Sequence, residues 1–347
     1  MSTPGFNLVL FVALVVIAVL LFWPGFGVLP RVLRQRLTAT RVRLEDALKH
    51  IYHQQSAGQT ATVVSLGGAL EASPTTAVAL VQRMQQAGLA RFTDGRIVLT
   101  AEGERYALQV IRAHRLWERY LADETGVDPL RWHASADRRE HRMTPREADA
   151  LAERLGDPRF DPHGDPIPTA DGQVPELDAR VTPLSELAEG DRAHVMHVED
   201  EPQVVYEEIV ARGIHPGQEV VVRSTDDRRT VFDADGREIT LSPLVAANVS
   251  VRPARKPSKD RPPAPSRTLA DLEIGQEAEV VRISPACRGI ERRRLMDLGI
   301  VPGTAISRER RSMSGGLSAY RVRGTLIALR REQADTIAVE IDDRKAS

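Results

Sequence analysis

Cysteine is nearly absent from this chain of 347 residues: Cys287 stands alone, so no intrachain disulfide can form and metal binding by a thiolate cluster is excluded. Net charge is also almost lacking, at -1, which argues against a protein that binds nucleic acid over its whole surface. No nucleophile elbow, phosphate-cradling glycine loop or zinc-protease helix motif occurs, which leaves a metal-dependent hydrolase without support. The first thirty residues carry no charged side chain of either sign.

That uncharged opening is strongly apolar. Phe6 to Trp23 reads FNLVLFVALVVIAVLLFW, polar only at Asn7, and as a helix it extends about 27 Å, close to the roughly 30 Å hydrocarbon core of a bilayer. No Lys or Arg precedes the run, unlike the basic start of a cleaved signal peptide. Arg31, Arg34, Arg36, Arg41 and Arg43 follow it before the first acid, Glu45. Residues 6–23 are therefore expected to be a single-pass anchor in the cytoplasmic membrane, with the rest of the chain in the cytoplasm.

The remaining length exceeds one compact core and implies several domains. Apolar residues at Leu44, Ala47, Leu48 and Ile51 predict a helix over 44–56. A short helix over 63–70 follows, and Ser73-Pro74 opens a third, running to about Gln86 before Gly88. ARFTDGRIVLT then reads as a hairpin turning at Asp94-Gly95. This order fits a winged helix-turn-helix, or a generic small α+β module. Helices are expected over 100–120, 133–141 and 145–155, with irregular chain over 157–180.

Further on, the pattern alternates as in strands and repeats itself. Leu184-x-x-Leu187-x-x-Gly190 matches Leu269-x-x-Leu272-x-x-Gly275, and Gly213-Ile214-x-Pro216-Gly217 matches Gly299-Ile300-x-Pro302-Gly303. Two small β-barrels of one kind are expected. ARKPSKDRPPAPSR, residues 254–267, lies between them as a proline-rich linker.

The most suggestive chemistry lies in the helical middle. His133, Asp137, Glu140 and His141 stand at i, i+4, i+7 and i+8, one stripe of a helix, and His114 with Glu118 forms another i, i+4 pair. Two imidazole-carboxylate faces of this kind suit one or two divalent cations. The same spacing is also that of a solvated charged face.

The order of parts resembles the diphtheria-toxin-repressor and manganese-transport-regulator family of metal-dependent repressors over about residues 44–253. HRLWERYLADETGVDPLRWHASADRREHRM followed by DPHGDPIP carries the likeness. The second repeat, from TLADLEIGQEAEVVRI through RRRLMDLGIVPGT to YRVRGTLIALRREQA, resembles the FeoA-type SH3-like domain of bacterial ferrous-iron transport. Beyond the transmembrane anchor read from the apolar run, placed over 1–30, the resemblance implies a multidomain α+β chain: a winged helix-turn-helix over 31–104 and an all-α dimerisation and metal-binding domain over 105–180. SH3-like barrels follow over 181–253 and 268–342.

By the same resemblance, an ancillary site would comprise His114, Glu118, His133, Asp200 and Gln203, and a primary site Asp46, Asp137, Glu140 and His141. Lys49 departs from the manganese-type members, which place a second carboxylate there, and Asp137 stands where iron-type members carry cysteine. The implied cofactor is Mn(II) or Fe(II), although ligands of this hardness also accept Zn(II) or Cu(II). The implied partners are double-stranded DNA and a second copy of the chain. Ser73, Thr75, Thr76, Arg83, Arg91 and Arg96 are the candidate DNA contacts, suited to phosphate more than to base edges, because Val78 and Ala79 occupy positions where the family tends to place polar readers. Two functions remain open: a membrane-tethered, metal-dependent transcriptional repressor of iron or manganese homeostasis, and a membrane-anchored metal-sensing adaptor that contacts a ferrous-iron transporter subunit without reading DNA.

Overall fold

A computed structural model describes residues 11, 19–21, 23, 28–176, 180–254, 267–284, 287, 289–312 and 316–341. Most of the expected anchor and nearly all of the proline-rich linker lie outside the described residues. Among those described, no single helix is long and apolar enough to cross a membrane. The chain divides into two units, residues 1–111 and 112–347.

In the first unit, helix α1 (Val28–Ser56) begins well before the expected start, since no glycine or proline interrupts the chain between Arg31 and Ser56. Helices α2 (Val63–Ala69) and α3 (Pro74–Gln86) are set at 110° to each other, the crossing of a helix-turn-helix. Thr62 caps α2 in a reciprocal box with Ser65, and Ser73 caps α3 with Pro74 in its first turn. Strands β1 (Ala90–Thr93) and β2 (Arg96–Leu99) pair antiparallel around Asp94 and Gly95, both at positive φ as a tight hairpin requires. Leu48 and Ile51 from α1 meet Leu66, Leu80, Met84 and Ile97 in one core, each such burial contributing roughly 1.5–3 kcal/mol. Three helices followed by a hairpin are thus present in the order expected from the sequence.

The second unit takes up the later turns of helix α4 (Ala101–Glu124), then α5 (Trp132–Glu140) and α6 (Pro145–Arg154). Trp117 Nε1 on α4 donates to Ser135 Oγ at 3.2 Å, and the buried Trp132 and Ala136 seat α5 against its neighbours. Among the described residues of 155–181 there is no helix or sheet strand beyond a single bridge between Phe160 and Pro166.

Two six-stranded antiparallel sheets follow. The first comprises β3 (Thr182–Pro183), β4 (Arg192–Val198), β5 (Glu219–Thr225), β6 (Thr230–Ala234), β7 (Arg237–Leu241) and β8 (Val249–Pro253), with helices α7 (Gln203–Ala211) and α8 (Pro243–Ala247) between strands. The second comprises β9 (Arg267–Thr268), β10 (Glu277–Ile283), β11 (Ala305–Arg311), β12 (Leu317–Val322), β13 (Thr325–Arg330) and β14 (Ile337–Ile341), with α9 (Gly289–Asp297) and α10 (Arg331–Asp335) at the matching places.

Their strand orders, β3-β8-β4-β5-β6-β7 and β9-β14-β10-β11-β12-β13, are the same topology. Register shifts recur at equivalent points, between Val195 and His197 in one and Val280 and Arg282 in the other. The internal repeat is therefore a repeat of fold. The expectation of two β-barrels is corrected: among the described residues β3 does not pair with β7, nor β9 with β13, so each sheet is open. Short two-residue strands at β3 and β9 supply too few ladder bonds to close the circuit.

Candidate metal centre

Four segments of the second unit converge on Glu118. His114 and Glu118 project from α4 one turn apart, His114 Nε2 lying 3.0 Å from Glu118 Oε1. His133 on α5 approaches from the side, its Nδ1 at 3.4 Å from Glu118 Oε1 and 2.9 Å from Asp200 Oδ2. Asp200 lies just after β4. The fourth segment is the loop DPHGDP, which brings in His163, with Nδ1 3.6 Å from Glu118 Oε2 and 3.8 Å from Asp200 Oδ2.

The loop is built to hold that imidazole. Asp161 Oδ1 accepts the backbone N–H groups of His163, Gly164 and Asp165 at 2.8 to 2.9 Å, closing a tight turn. Gly164 has φ +101, and a Cβ there would sit 2.0 Å from Met196 O on β4, so only glycine permits the approach. The backbone N–H of Val198 donates to His163 O at 2.9 Å, and Arg115 Nη1 on α4 donates to Pro166 O at 2.6 Å.

His114 also faces the other way. Its Nδ1 is 2.5 Å from Glu140 Oε2 and 3.5 Å from Asp137 Oδ1, while its ring centroid is 4.8 Å from that of His133. The two expected ligand sets are thus contiguous through one imidazole. His141, the residue after α5, has Nε2 3.5 Å from Glu140 Oε1. Three groups here have donor atoms all within 4.8 Å of one another: His114 with Glu118 and His133, His114 with Asp137 and Glu140, and Glu118 with His163 and Asp200.

Gln203 begins α7, is exposed, and turns its Nε2 to Glu207 at 2.8 Å. Asp46, half-buried on α1, belongs to the first unit. His163 has no helical spacing to mark it in the sequence, where only the Asp-Pro-His-Gly-Asp turn chemistry points to it.

The electrostatics are those of a cation site. Burial pushes the Glu118 carboxyl up, but the imidazoles of His114, His133 and His163 outweigh it and hold Glu118 well below the usual range. Burial would lower His133, yet Asp200, Glu118 and Asp137 raise it to about 11; His163 likewise is raised to about 9 by Glu118, Asp161 and Asp200. Without a metal, protons on these rings supply the positive charge that the carboxylates require.

The residues present fit a divalent ion. His133 Nδ1 and His163 Nδ1 are buried and complete no hydrogen bond, although both point toward carboxylates. When such a ring gives up its proton, the nitrogen that faces the carboxylates offers its lone pair to a cation. Imidazole and carboxylate donors without thiolate suit Mn(II) or Fe(II) geometries and leave selection among first-row ions to availability.

In the first unit, Ser73 Oγ contacts the hydroxyls of Thr75 and Thr76 at 2.9 Å, so capping occupies it. Thr75, Arg83, Arg91 and Arg96 are exposed, and Thr76 is half-buried. Val78 is 44% exposed, so it is not a core residue of α3. Gln82, Gln85 and Gln86 are also exposed on α3, polar groups absent from the candidates drawn from sequence.

Residues 100–169 match the family described as iron dependent repressor, metal binding and dimerisation domain, and residues 182–253 and 267–341 match the FeoA domain. The chain is 30% identical to the iron-dependent repressor IdeR of Mycobacterium leprae over 220 residues, which cover 60% of this chain and 95% of the relative. It is 31% identical over 216 residues to the diphtheria toxin repressor of Corynebacterium glutamicum, covering 60% and 94% respectively. A solved manganese-dependent transcriptional repressor in complex with manganese superimposes with a TM-score of 0.54 at 28% identity, covering 61% of this chain and 100% of its own. The chain belongs to the iron-dependent repressor family.

Proposed function

We propose that this protein is a membrane-tethered, dimeric transcriptional repressor that binds double-stranded DNA when loaded with Mn(II) or Fe(II), and that it is not an enzyme. The observation that carries the reading is the gathering of His114, His133 and His163 around Glu118 and Asp200, with two buried imidazole nitrogens left without hydrogen bonds. Ligands drawn from α4, α5, the DPHGDP loop and the chain after β4 mean that an ion fixes four segments at once. Asp137, Glu140 and His141 are the residues assigned to a second ion, and Gln203 is assigned to the first. Relatives named for iron and for manganese support the choice of metals.

The output is DNA binding through α3 and the β1–β2 wing. Ser73, Thr75, Thr76, Arg83, Arg91 and Arg96 serve chiefly phosphate and backbone positioning. Residues 6–23 hold the chain in the cytoplasmic membrane with its later domains in the cytoplasm; the support is the apolar run and the arginines that follow it. Chromatin immunoprecipitation with and without added iron and manganese tests the output. Enrichment of discrete loci only in metal-replete cells is expected, and no enrichment under either condition rejects it. Fractionation of the full chain against one lacking residues 1–30 tests the tether, which fails if both partition into the soluble fraction.

The exposure of Val78 on α3 favours a second reading, a metal-sensing adaptor whose FeoA domains contact a ferrous-iron transporter subunit. Recovery of such a subunit, and no DNA, from solubilised membranes would select it.

A further inference from the structure

Tyr206 is not among the candidate ligands, yet its hydroxyl ends at the back of one of them. It lies in the middle of α7, is 7% exposed, and packs its ring edge-on against His163 with centroids 5.2 Å apart and planes at 79°. Tyr206 Oη is 3.0 Å from His163 Nε2. On the other side of the same ring, Nδ1 is buried, completes no hydrogen bond and faces Glu118 and Asp200.

A neutral imidazole has one N–H and one lone pair. With hydrogen on Nδ1, the lone pair points at the phenol and the ring cannot serve a cation between Glu118 and Asp200. With hydrogen on Nε2, the phenolic oxygen can accept it and the Nδ1 lone pair faces the carboxylates. Ligating histidines generally hand their second N–H to a fixed acceptor in this way.

We propose that Tyr206 is the positioning residue for His163: its oxygen accepts the Nε2–H, fixing the ring so that Nδ1 takes a divalent cation shared with Glu118 and Asp200. The proposal rests on the reading of His163 as a metal ligand. Its consequence is a coupling between domains of the second unit. Asp200 and Tyr206 both belong to the first FeoA domain, whereas Glu118 and His163 belong to the helical region and its loop. That FeoA domain supplies one ligand and also the group that orients another, so its seating and the loading of the ion are one event.

The second FeoA domain shows that the fold itself does not require the phenol. By the register that aligns Gly213-Ile214 with Gly299-Ile300, the residue of α9 equivalent to Tyr206 is Arg292. Its guanidinium reaches the backbone oxygens of Ile283 and Ser284, at 3.3 and 3.4 Å, within its own domain.

The test compares Tyr206→Phe and His163→Ala in the full chain. Calorimetry with Mn(II) is expected to show that Tyr206→Phe weakens one site by about 10- to 100-fold. In spectra of ¹⁵N-histidine-labelled, Zn(II)-loaded protein, wild-type His163 is expected as the Nε2–H tautomer with Nδ1 on the metal, and the variant as a mixture. Unchanged affinity in Tyr206→Phe, alongside loss of an ion in His163→Ala, overturns the proposal and leaves the ligand reading intact. Weakened affinity with the tautomer unchanged also overturns it, because Tyr206 then acts by packing alone. If His163→Ala itself binds Mn(II) as the wild type does, the ligand reading fails and the proposal with it.

Discussion

His114 Nδ1 lies 2.5 Å from Glu140 Oε2, and both side chains are buried, so a single imidazole joins the two carboxylate groups assigned to separate ions. Its other nitrogen holds Glu118 at 3.0 Å. His114→Ala therefore leaves two buried carboxylates short of a partner. A loss of about 3–5 kcal/mol in the metal-free protein is expected by chemical denaturation. Gln203→Ala, at an exposed position, should stay within about 0.5 kcal/mol of wild type.

Metal affinity should rise with pH. His133 and His163, raised to about 11 and about 9, carry protons at neutral pH, and an ion must displace them. Calorimetry in buffers of different ionisation enthalpy should detect proton release at pH 7 and tighter Mn(II) binding as pH increases. The metal-free protein should respond in the opposite sense. A histidine with a raised folded pKa stabilises fully below its unfolded value of about 6.5. That contribution is lost as pH climbs through about 9 for His163 and about 11 for His133.

Gly164→Ala should damage the centre without touching a ligand. The new Cβ would meet Met196 O at 2.0 Å in a backbone conformation of φ +101. A destabilisation above about 1 kcal/mol is expected, together with weaker Mn(II) binding, because the turn that presents His163 must shift. Thermal melting and metal titration of the variant check both.

Much of this was legible in the sequence where period and punctuation agree. Ser73-Pro74 and Gly88 bracket α3 (Pro74–Gln86) as read, and the repeated Gly-Ile-x-Pro-Gly motifs mark two domains of one topology. Helical spacing also picked out His114, Glu118, His133, Asp137 and Glu140, which converge. His163 was not legible, because its placement comes from an Asp161 turn and a glycine contact with β4. Closure of the sheets is not legible for a related reason: alternation reveals strands, whereas pairing of the two edge strands depends on lengths and bends that alternation does not encode.

Glu140→Ala and His141→Ala should each remove one Mn(II) from the calorimetric stoichiometry while the protein remains a dimer by light scattering. Unchanged stoichiometry and affinity in both would remove these residues from the ligand set.

On the DNA side, Gln82→Ala should weaken specific binding by about 1–3 kcal/mol if this exposed side chain reads an adenine edge. Arg91→Ala should weaken binding to all sequences alike and lower the slope of log affinity against log salt by about one.

Fluorescence anisotropy tests most directly whether metal gates DNA binding. Labelled DNA fragments recovered by selection from a genomic library are titrated with the full chain in detergent, with Mn(II) and with chelator. Tight, salt-sensitive binding only with Mn(II), abolished in His133→Ala, is the predicted result; equal affinity with and without the ion, or no binding in either case, would contradict it.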